Sequence, residues 1–205
     1  MNARKQITNF VAFDLEMNQP TDTIIQIGAV AGNIFTGEIL EEMSEIIFTT
    51  ETLCTDSTIC DIPKLTGITD DMVKEGISLE SGYQLLSSLR ERHECHRNPI
   101  VWGGGDVGCL KEQLIANSGL EFSEGFGMNK HLPMFCFGRR WFDAKSFFQI
   151  HKHMNGESMQ SGLRKAVKRM GMTFEGKGHD AKDDAVNTFR IAHVLFNEFR
   201  KEIGE

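Results

Sequence analysis

The sequence predicts a mixed α/β fold in which helices flank a single sheet. Three apolar segments, rich in β-branched and aromatic residues, stand near the N-terminus with short links between them. Such segments indicate an antiparallel meander of strands. Helical patterns then alternate with two short strand-like segments, an order typical of a mixed sheet covered by helices. The 205 residues suffice for one sizeable core, so we expect one domain over residues 1–205.

Five strands are predicted, at residues 8–14, 23–31, 39–49, 100–102 and 141–143. The first link is a turn around Pro20, because proline fixes one backbone dihedral. Gly32 and Gly37 mark the bend before the third strand. The sequence therefore predicts a meander of three strands, with two short strands added later in the chain.

The helices are predicted from capping residues and apolar spacing. Thr69 is predicted to cap a short helix that begins at Asp70, and Ser78 to cap a second helix that runs to about Arg90. Further helices are predicted at residues 106–117, after the strand at 141–143 as far as residue 153, at residues 163–170, and from residue 181 to about residue 201. The last helix carries one apolar stripe. The segment 119–138 has no clear periodicity, and both a mobile flap and a loop pinned by its phenylalanines are compatible with it.

Charge is distributed unevenly along the chain. The net charge is −7, which argues against a protein that coats long stretches of nucleic acid. The stretch from Arg139 to Lys182 is nevertheless rich in lysine and arginine. It fits either a site for a short polyanion or a solvated basic helix face. No apolar run is long enough to cross a bilayer, and the N-terminus does not resemble a secretory signal, so we expect a cytoplasmic protein without membrane contact.

The five cysteines indicate reduced thiols, because they are scattered without a Cys-x-x-Cys pair. The sequence His93-Glu94-Cys95-His96 has zinc-ligand residue types. It lacks a second ligand pair at a usable spacing, and we interpret it as a polar stretch between a helix and a strand.

Asp14 and Glu16 follow the first apolar strand as Asp-Leu-Glu. Residues two apart on a strand share a face, so both carboxylates point the same way. They repel each other unless a cation lies between them, which is typical of a metal site, although a strand end is often simply solvated. Asp106 follows three glycines at another strand end. It is either a third carboxylate beside an open cleft or a helix-capping residue.

The most specific stretch is Gly178-His179-Asp180-Ala181-Lys182-Asp183-Asp184-Ala185. Asp180 is placed to cap the last helix, which leaves His179 in the preceding loop and Asp184 on the first turns. A loop imidazole and a helical carboxylate can then approach one cleft. Asp183 lies about 100° further round the helix and is predicted to face solvent.

Together these residues resemble the DEDDh 3′–5′ exonucleases, the proofreading-exonuclease or ribonuclease-T-like superfamily on a ribonuclease-H-like fold. The resemblance covers about residues 8–198, and its motifs are Phe13 to Glu16, Val101 to Asp106 and His179 to Ala185. Within it, Trp102-Gly103-x-x-Asp106 and residues 162–176 are similar to the group that trims histone-message and short interfering RNA ends. Gly105 departs from that group, which usually has an aromatic residue there.

The resemblance implies a mechanism and a set of site residues. Asp14, Glu16, Asp106 and Asp184 would hold two Mg²⁺ or Mn²⁺ ions, which stabilise the attacking and leaving oxygens of a phosphoryl displacement. His179 would be the general base, a task that suits a side chain titrating near neutrality. The expected reaction removes nucleoside 5′-monophosphates from the 3′ end of single-stranded RNA or DNA, with RNA slightly favoured. Leu15, Met17 and Asn18 are expected to contact the terminal nucleoside.

Three alternatives stay open at this point. The first is a DNA proofreading or repair exonuclease with the same site, and the second is an oligoribonuclease-like enzyme for very short RNA. The third is a non-catalytic nucleic-acid-binding module on the same fold. The presence of all five catalytic candidates argues against the third, because binding alone has no chemical need for them.

Overall fold

The computed structural model describes residues 6–118, 135–158 and 162–202. Its five strands are β1 (Asn9–Asn18), β2 (Thr23–Asn33), β3 (Ile39–Ile46), β4 (Ile100–Val101) and β5 (Phe142–Asp143). They form one sheet in the order β3-β2-β1-β4-β5. The first three strands pair antiparallel, while β4 pairs in parallel with both β1 and β5. The predicted mixed five-stranded sheet is confirmed.

The described residues also form seven helices: α1 (Ile62–Thr66), α2 (Asp70–Glu75), α3 (Leu79–Arg92), α4 (Gly105–Ser118), α5 (Ala144–Met154), α6 (Leu163–Arg169) and α7 (Ala181–Glu202). Thr69 and Ser78 cap α2 and α3 as predicted, since their hydroxyls accept hydrogen bonds from Met72 N and Ser81 N. The short helix α1 was not predicted. It has only five residues, too few to show an apolar period.

The two faces of β1 pack against different helices. Val11, Phe13 and Leu15 are buried in a core that also contains residues of α3 and α4. Ala12, on the opposite face, packs with residues of α7. Because side chains alternate along a strand, Asp14 and Glu16 share the side of Ala12 and face α7.

The first turn of α7 lies directly on β2. Gln26 Oε1 accepts a hydrogen bond from Ala181 N at 3.1 Å, and Gln26 Nε2 donates to Asp180 Oδ2 at 3.4 Å. A Cβ atom added to Gly28 would lie 1.9 Å from the backbone nitrogen of Lys182. Any side chain at residue 28 would therefore push α7 away from the sheet.

Some element boundaries differ from the sequence prediction. The first strand continues to Asn18 instead of ending at Asp14, because residues 14–18 keep pairing with β2. The third strand ends at Ile46 instead of residue 49, since Phe48 N donates to Ile77 O outside the sheet. Most of the unpatterned segment 119–138 lies outside the described residues. In its described part, Phe135 and Phe137 are buried.

Within the described ranges, none of the helices combines the length and apolar character needed to cross a membrane. The cytoplasmic location stays a prediction.

Candidate active site

Asp14 and Glu16 line one side of the site from the middle of β1. Asp14 pairs with Gly28 and Glu16 with Gln26 across the β1–β2 ladder. These partners are the two residues that hold the first turn of α7 against the sheet. The strand pairing therefore brings both carboxylates to the N-terminal end of α7.

Asp106 reaches the site from the first turn of α4. The glycine run before it is tied to the start of α5, because Gly103 N donates to Asp143 Oδ1 at 3.0 Å. Gly103 has a φ of +100°, a left-handed conformation that favours glycine. Asp106 thus stands at a helix N-terminus, and it is close enough to Asp14 and Glu16 for its negative charge to raise their pKa values.

His179 lies in the loop that enters α7 and is held in an unusual backbone conformation. Its φ is +62°, a region that few non-glycine residues adopt. Its backbone N–H donates to Asp184 Oδ2 at 3.2 Å, which fixes the loop on the first turns of the helix. Asp180 Oδ1 accepts from the backbone of Lys182 and Asp183 at 3.1 and 3.2 Å, so the predicted cap of α7 is confirmed.

Asp183 does not face solvent, and the prediction for it was wrong. Its carboxylate turns back towards the loop, where Oδ2 accepts from Lys177 N at 2.7 Å. Lys177 Nζ in turn donates to Thr66 O at the end of α1, also at 2.7 Å. The two adjacent acids therefore have different roles. Asp183 binds the loop before His179, whereas Asp184 faces the acidic cluster.

Burial raises the pKa values of all four carboxyl groups, and repulsion from the other carboxylates of the cluster adds to this for Asp14 and Glu16. For Asp14, burial is the main cause, followed by the negative charges of Asp106, Asp184 and Glu16, and the pKa lies well above its ordinary value. Burial, with Asp184 as the next cause, raises the pKa of Glu16 to about 8. Burial raises the pKa values of Asp106 and Asp184 to about 6 each. The cluster is therefore electrostatically strained until a cation neutralises it.

The donors of this cluster fit a divalent cation. Glu16, His179 and Asp184 each offer a ligand atom, and these atoms lie within 4.8 Å of one another. Asp184 Oδ1 is buried and has no hydrogen-bond partner among the described residues, an arrangement that a bound ion would satisfy. A set dominated by carboxylate oxygens suits Mg²⁺ or Mn²⁺ better than zinc.

The three residues expected to contact a nucleoside are on β1, next to the cluster in sequence, but two of their side chains are buried. Leu15 is buried in the core, and Asn18 is also buried, with its amide bonded to Glu51, Thr52 O and Cys54 N. Met17 is half-buried, with its sulfur 3.4 Å from Cys109 Sγ. Contact of Leu15, Met17 or Asn18 with a nucleoside stays a prediction.

His93-Glu94-Cys95-His96 forms no metal-ligand cluster among the described residues. His93 Nε2 lies 2.7 Å from Glu41, Cys95 is buried, and His96 stacks on Phe10. The interpretation as a polar stretch between a helix and a strand agrees with α3 ending at Arg92 and β4 beginning at Ile100.

Sequence reasoning missed the residues that place the site rather than form it. Gln26 and Gly28 touch the first turn of α7 from β2, while Lys177, within the loop before α7, ties that loop to Thr66 in a distant part of the chain. An apolar strand containing a lone Gln and Gly was the only available signal, because both residue types are unusual inside a buried strand.

The arrangement defines a class of protein. A mixed sheet brings four carboxylates and one imidazole to a single point, where bound divalent ions can promote attack of water on a phosphodiester. Residues 11–192 match the RNase T exonuclease family model. The chain belongs to this exonuclease family, which confirms the predicted enzyme class, a metal-dependent exonuclease acting on nucleic acid.

Solved structures share the fold at low sequence identity. The nuclease domain of 3′hExo, a DEDDh family member bound to rAMP, has a TM-score of 0.72 and 18% identity over 96% of this chain and 95% of that chain. A 3′-exonuclease that recognises the histone mRNA stem-loop has a TM-score of 0.72 and 17% identity, over 95% of this chain and 84% of that chain. Cell-death related nuclease 4 (CRN-4) has a TM-score of 0.74 and 14% identity, over 94% of this chain and 64% of that chain. The predicted resemblance to DEDDh exonucleases is confirmed. No curated protein matches the sequence.

Proposed function

We propose that this protein removes nucleoside 5′-monophosphates one at a time from the 3′ end of single-stranded nucleic acid, with RNA favoured over DNA. The observation that carries the proposal is the crowding of Asp14, Glu16, Asp106 and Asp184 at the loop of His179. Four carboxylates by themselves repel a phosphate group, so the cluster can bind nucleic acid only when cations neutralise it.

Two divalent ions at the four carboxylates would neutralise the scissile phosphate and lower the energy of the attacking and leaving oxygens. His179 is exposed, so its imidazole can take a proton from the attacking water. The water oxygen bonds to phosphorus as the bond from phosphorus to the 3′ oxygen of the next nucleotide breaks. That oxygen takes up a proton from solvent and becomes the 3′-hydroxyl of the shortened strand, ready for the following round.

The remaining chain holds this geometry. The bond from His179 N to Asp184 Oδ2 keeps base and carboxylate together, and Asp183 and Thr66 fasten the loop through Lys177. Met17 follows Glu16 on β1 and is only half-buried, so we place its side chain next to the terminal nucleoside. The side chains of Leu15 and Asn18 are buried, so their contact with the nucleoside would use the strand backbone. RNA is proposed as the preferred substrate because of the likeness to the rAMP-bound and stem-loop-binding exonucleases.

The test compares single-stranded RNA and DNA of one sequence, labelled at either end, in Mg²⁺, Mn²⁺ or EDTA. We expect the 5′-labelled strand to shorten progressively, the 3′-labelled strand to release a labelled mononucleotide at once, and EDTA to stop both. A 3′-phosphate should slow the reaction strongly. Cleavage of closed circles at the rate of linear strands would contradict exonuclease action, and faster cleavage of DNA would replace the RNA preference with a DNA-directed role.

A further inference from the structure

An exposed tryptophan stands beside the glycine run that leads to Asp106. Trp141 is 40% exposed. A Cβ atom added to Gly104 would lie 3.6 Å from both Cζ2 and Nε1 of its indole. Consecutive Cα atoms are about 3.8 Å apart, so the backbone of Gly104 lies within about 7.6 Å of that of Asp106. The indole is therefore a near neighbour of the acidic cluster.

Basic residues flank this tryptophan in the chain. Arg139 and Arg140 precede it and are exposed. Lys145 follows on α5, where its Cδ would lie 4.0 Å from a Cβ atom on Gly103. None of these three cations forms an ion pair with a described residue. In a chain with a net charge of −7, such a group of unpaired cations favours a polyanionic partner.

The backbone between Trp141 and the cluster is open. Gly104 and Gly105 are exposed, and a Cβ atom on Gly105 would meet nothing within 4 Å. Exposed Arg164 packs against Gly178, next to His179. Among the described residues, exposed glycine backbone thus lies between Trp141 and Asp106, and a further cation lies beside the loop of His179.

We propose that Trp141 is a stacking platform for an unpaired base adjoining the terminal nucleotide, and that Lys145, Arg139 and Arg140 bind the phosphates beside that base. Aromatic side chains in basic grooves bind single strands in this way, because every base has a stacking face. Paired bases in a duplex do not offer that face. The inference rests on the proposed function, and it assigns the preference for single strands to a surface outside the catalytic cluster.

The first experiment measures oligonucleotide binding by fluorescence anisotropy in a His179→Asn background, in which the strand is consumed only slowly during the measurement. Trp141→Ala should weaken binding of single strands of two or more nucleotides about tenfold, while Trp141→Phe keeps most of the affinity. Binding of a nucleoside monophosphate or a blunt duplex should be unchanged by either variant. Phe147→Ala is the matched control, since Phe147 is a comparably exposed aromatic on α5 (45%).

The second experiment uses the fact that the chain has only two tryptophans. Trp102→Phe leaves Trp141 as the single indole, and its fluorescence should be quenched by oligouridylate but not by a blunt duplex. Lys145→Ala should reduce the slope of log Kd against log salt by about 0.7, because one phosphate of the single strand is no longer neutralised by the protein. Lys74→Ala, an exposed lysine of α2, should leave that slope unchanged.

The outcomes separate the two proposals. If the unaltered protein trims 3′ ends but Trp141→Ala binds and trims single strands like the unaltered protein, the stacking platform is refuted while the exonuclease stands. If oligonucleotides quench Trp141 and Trp141→Ala loses affinity, yet no 3′ end is ever trimmed, the platform stands and the proposed reaction is wrong. Equal weakening of mononucleotide and oligonucleotide binding would also overturn the platform.

Discussion

The two ends of α7 present opposite surfaces. Its N-terminal turn, with the loop before it, carries His179 and Asp184 to the acidic cluster, where every carboxylate has a raised pKa. Its C-terminal half borders an apolar cavity of about 310 Å³. That cavity is lined by Phe10, Ile34, Ile100, Phe142, Ala144, Phe147, Ala192, Leu195, Phe196 and Phe199.

The contrast shows that in this fold the apolar cavity and the residues suited to catalysis lie in different places. A large apolar pocket is the usual first hypothesis for a binding site, but this one has no charged lining residue. The acidic cluster, in contrast, is marked by crowded charges, an unbonded buried oxygen and a histidine with positive φ. We therefore expect changes at the N-terminal end of α7 to alter catalysis and changes at the C-terminal end to alter stability.

The largest effect is expected for Asp184→Asn. It removes a charge from the proposed metal site, so turnover should fall by about 10³-fold or more. The neutral amide also relieves repulsion in the cluster, so the metal-free protein should become more stable at pH 8, by roughly 1 to 3 kcal/mol. Steady-state kinetics and chemical unfolding in EDTA measure the two effects. A loss of turnover accompanied by a loss of stability would indicate misfolding instead.

A smaller loss is expected when His179 is replaced and all four carboxylates are kept. Asparagine is the informative substitution, because it tolerates the left-handed backbone that His179 adopts. His179→Asn should lower kcat about 10²-fold, while calorimetric binding of Mn²⁺ stays near that of the unaltered protein. Lys182→Ala, next to the loop but paired with Asp183 and Glu42, is the control. Near-full turnover of His179→Asn would mean that another group activates the water.

The third prediction concerns the pH dependence of metal-free stability. Glu16 has an ordinary pKa of 4.5 and a folded pKa of about 8, so the unfolded chain releases this proton first as the pH rises. The free energy of unfolding should therefore be highest near pH 4.5 and fall up to about pH 8, with Asp106 and Asp184 adding to the fall up to about pH 6.

If Mg²⁺ binds the ionised carboxylates as proposed, the rise in Tm that it causes should grow over the same range. Thermal melts from pH 5 to 8, in EDTA and in Mg²⁺, test this. The slope in EDTA should be shallower for Asp184→Asn. A melting temperature that rises with pH in EDTA would show that groups outside the acidic cluster control the pH dependence of stability.

The smallest effect on catalysis is expected at the apolar end of α7. Phe196 packs against Phe35 with ring centroids 4.9 Å apart and lines the cavity. Phe196→Ala should lower the free energy of unfolding by about 1 to 3 kcal/mol. The turnover of the folded enzyme should stay within about twofold. If kcat fell as far as in His179→Asn, the two ends of α7 would be coupled rather than independent.

Local patterns were enough to predict much of this protein. Apolar strands rich in β-branched residues, the caps at Thr69, Ser78 and Asp180, and the stripe of the last helix depend on neighbours close in sequence, and the structure contains each of them. The choice of Asp14 and Glu16 also followed from local geometry, because strand periodicity alone puts them on one face. The short helix α1 was missed because five residues carry no period.

Tertiary structure decided what joins these elements into a site. Whether Asp106 only caps a helix or also joins the acidic cluster depends on β4 lying beside β1, a pairing between residues far apart in the chain. Gln26, Gly28 and the link from Lys177 to Thr66 act across similarly long separations. Asp183 was wrongly predicted to face solvent, because helix periodicity does not reveal that the preceding loop folds back onto that face of the helix. Sequence determines the local preferences of each residue, whereas the raised pKa values exist only where packing brings like charges together and excludes water.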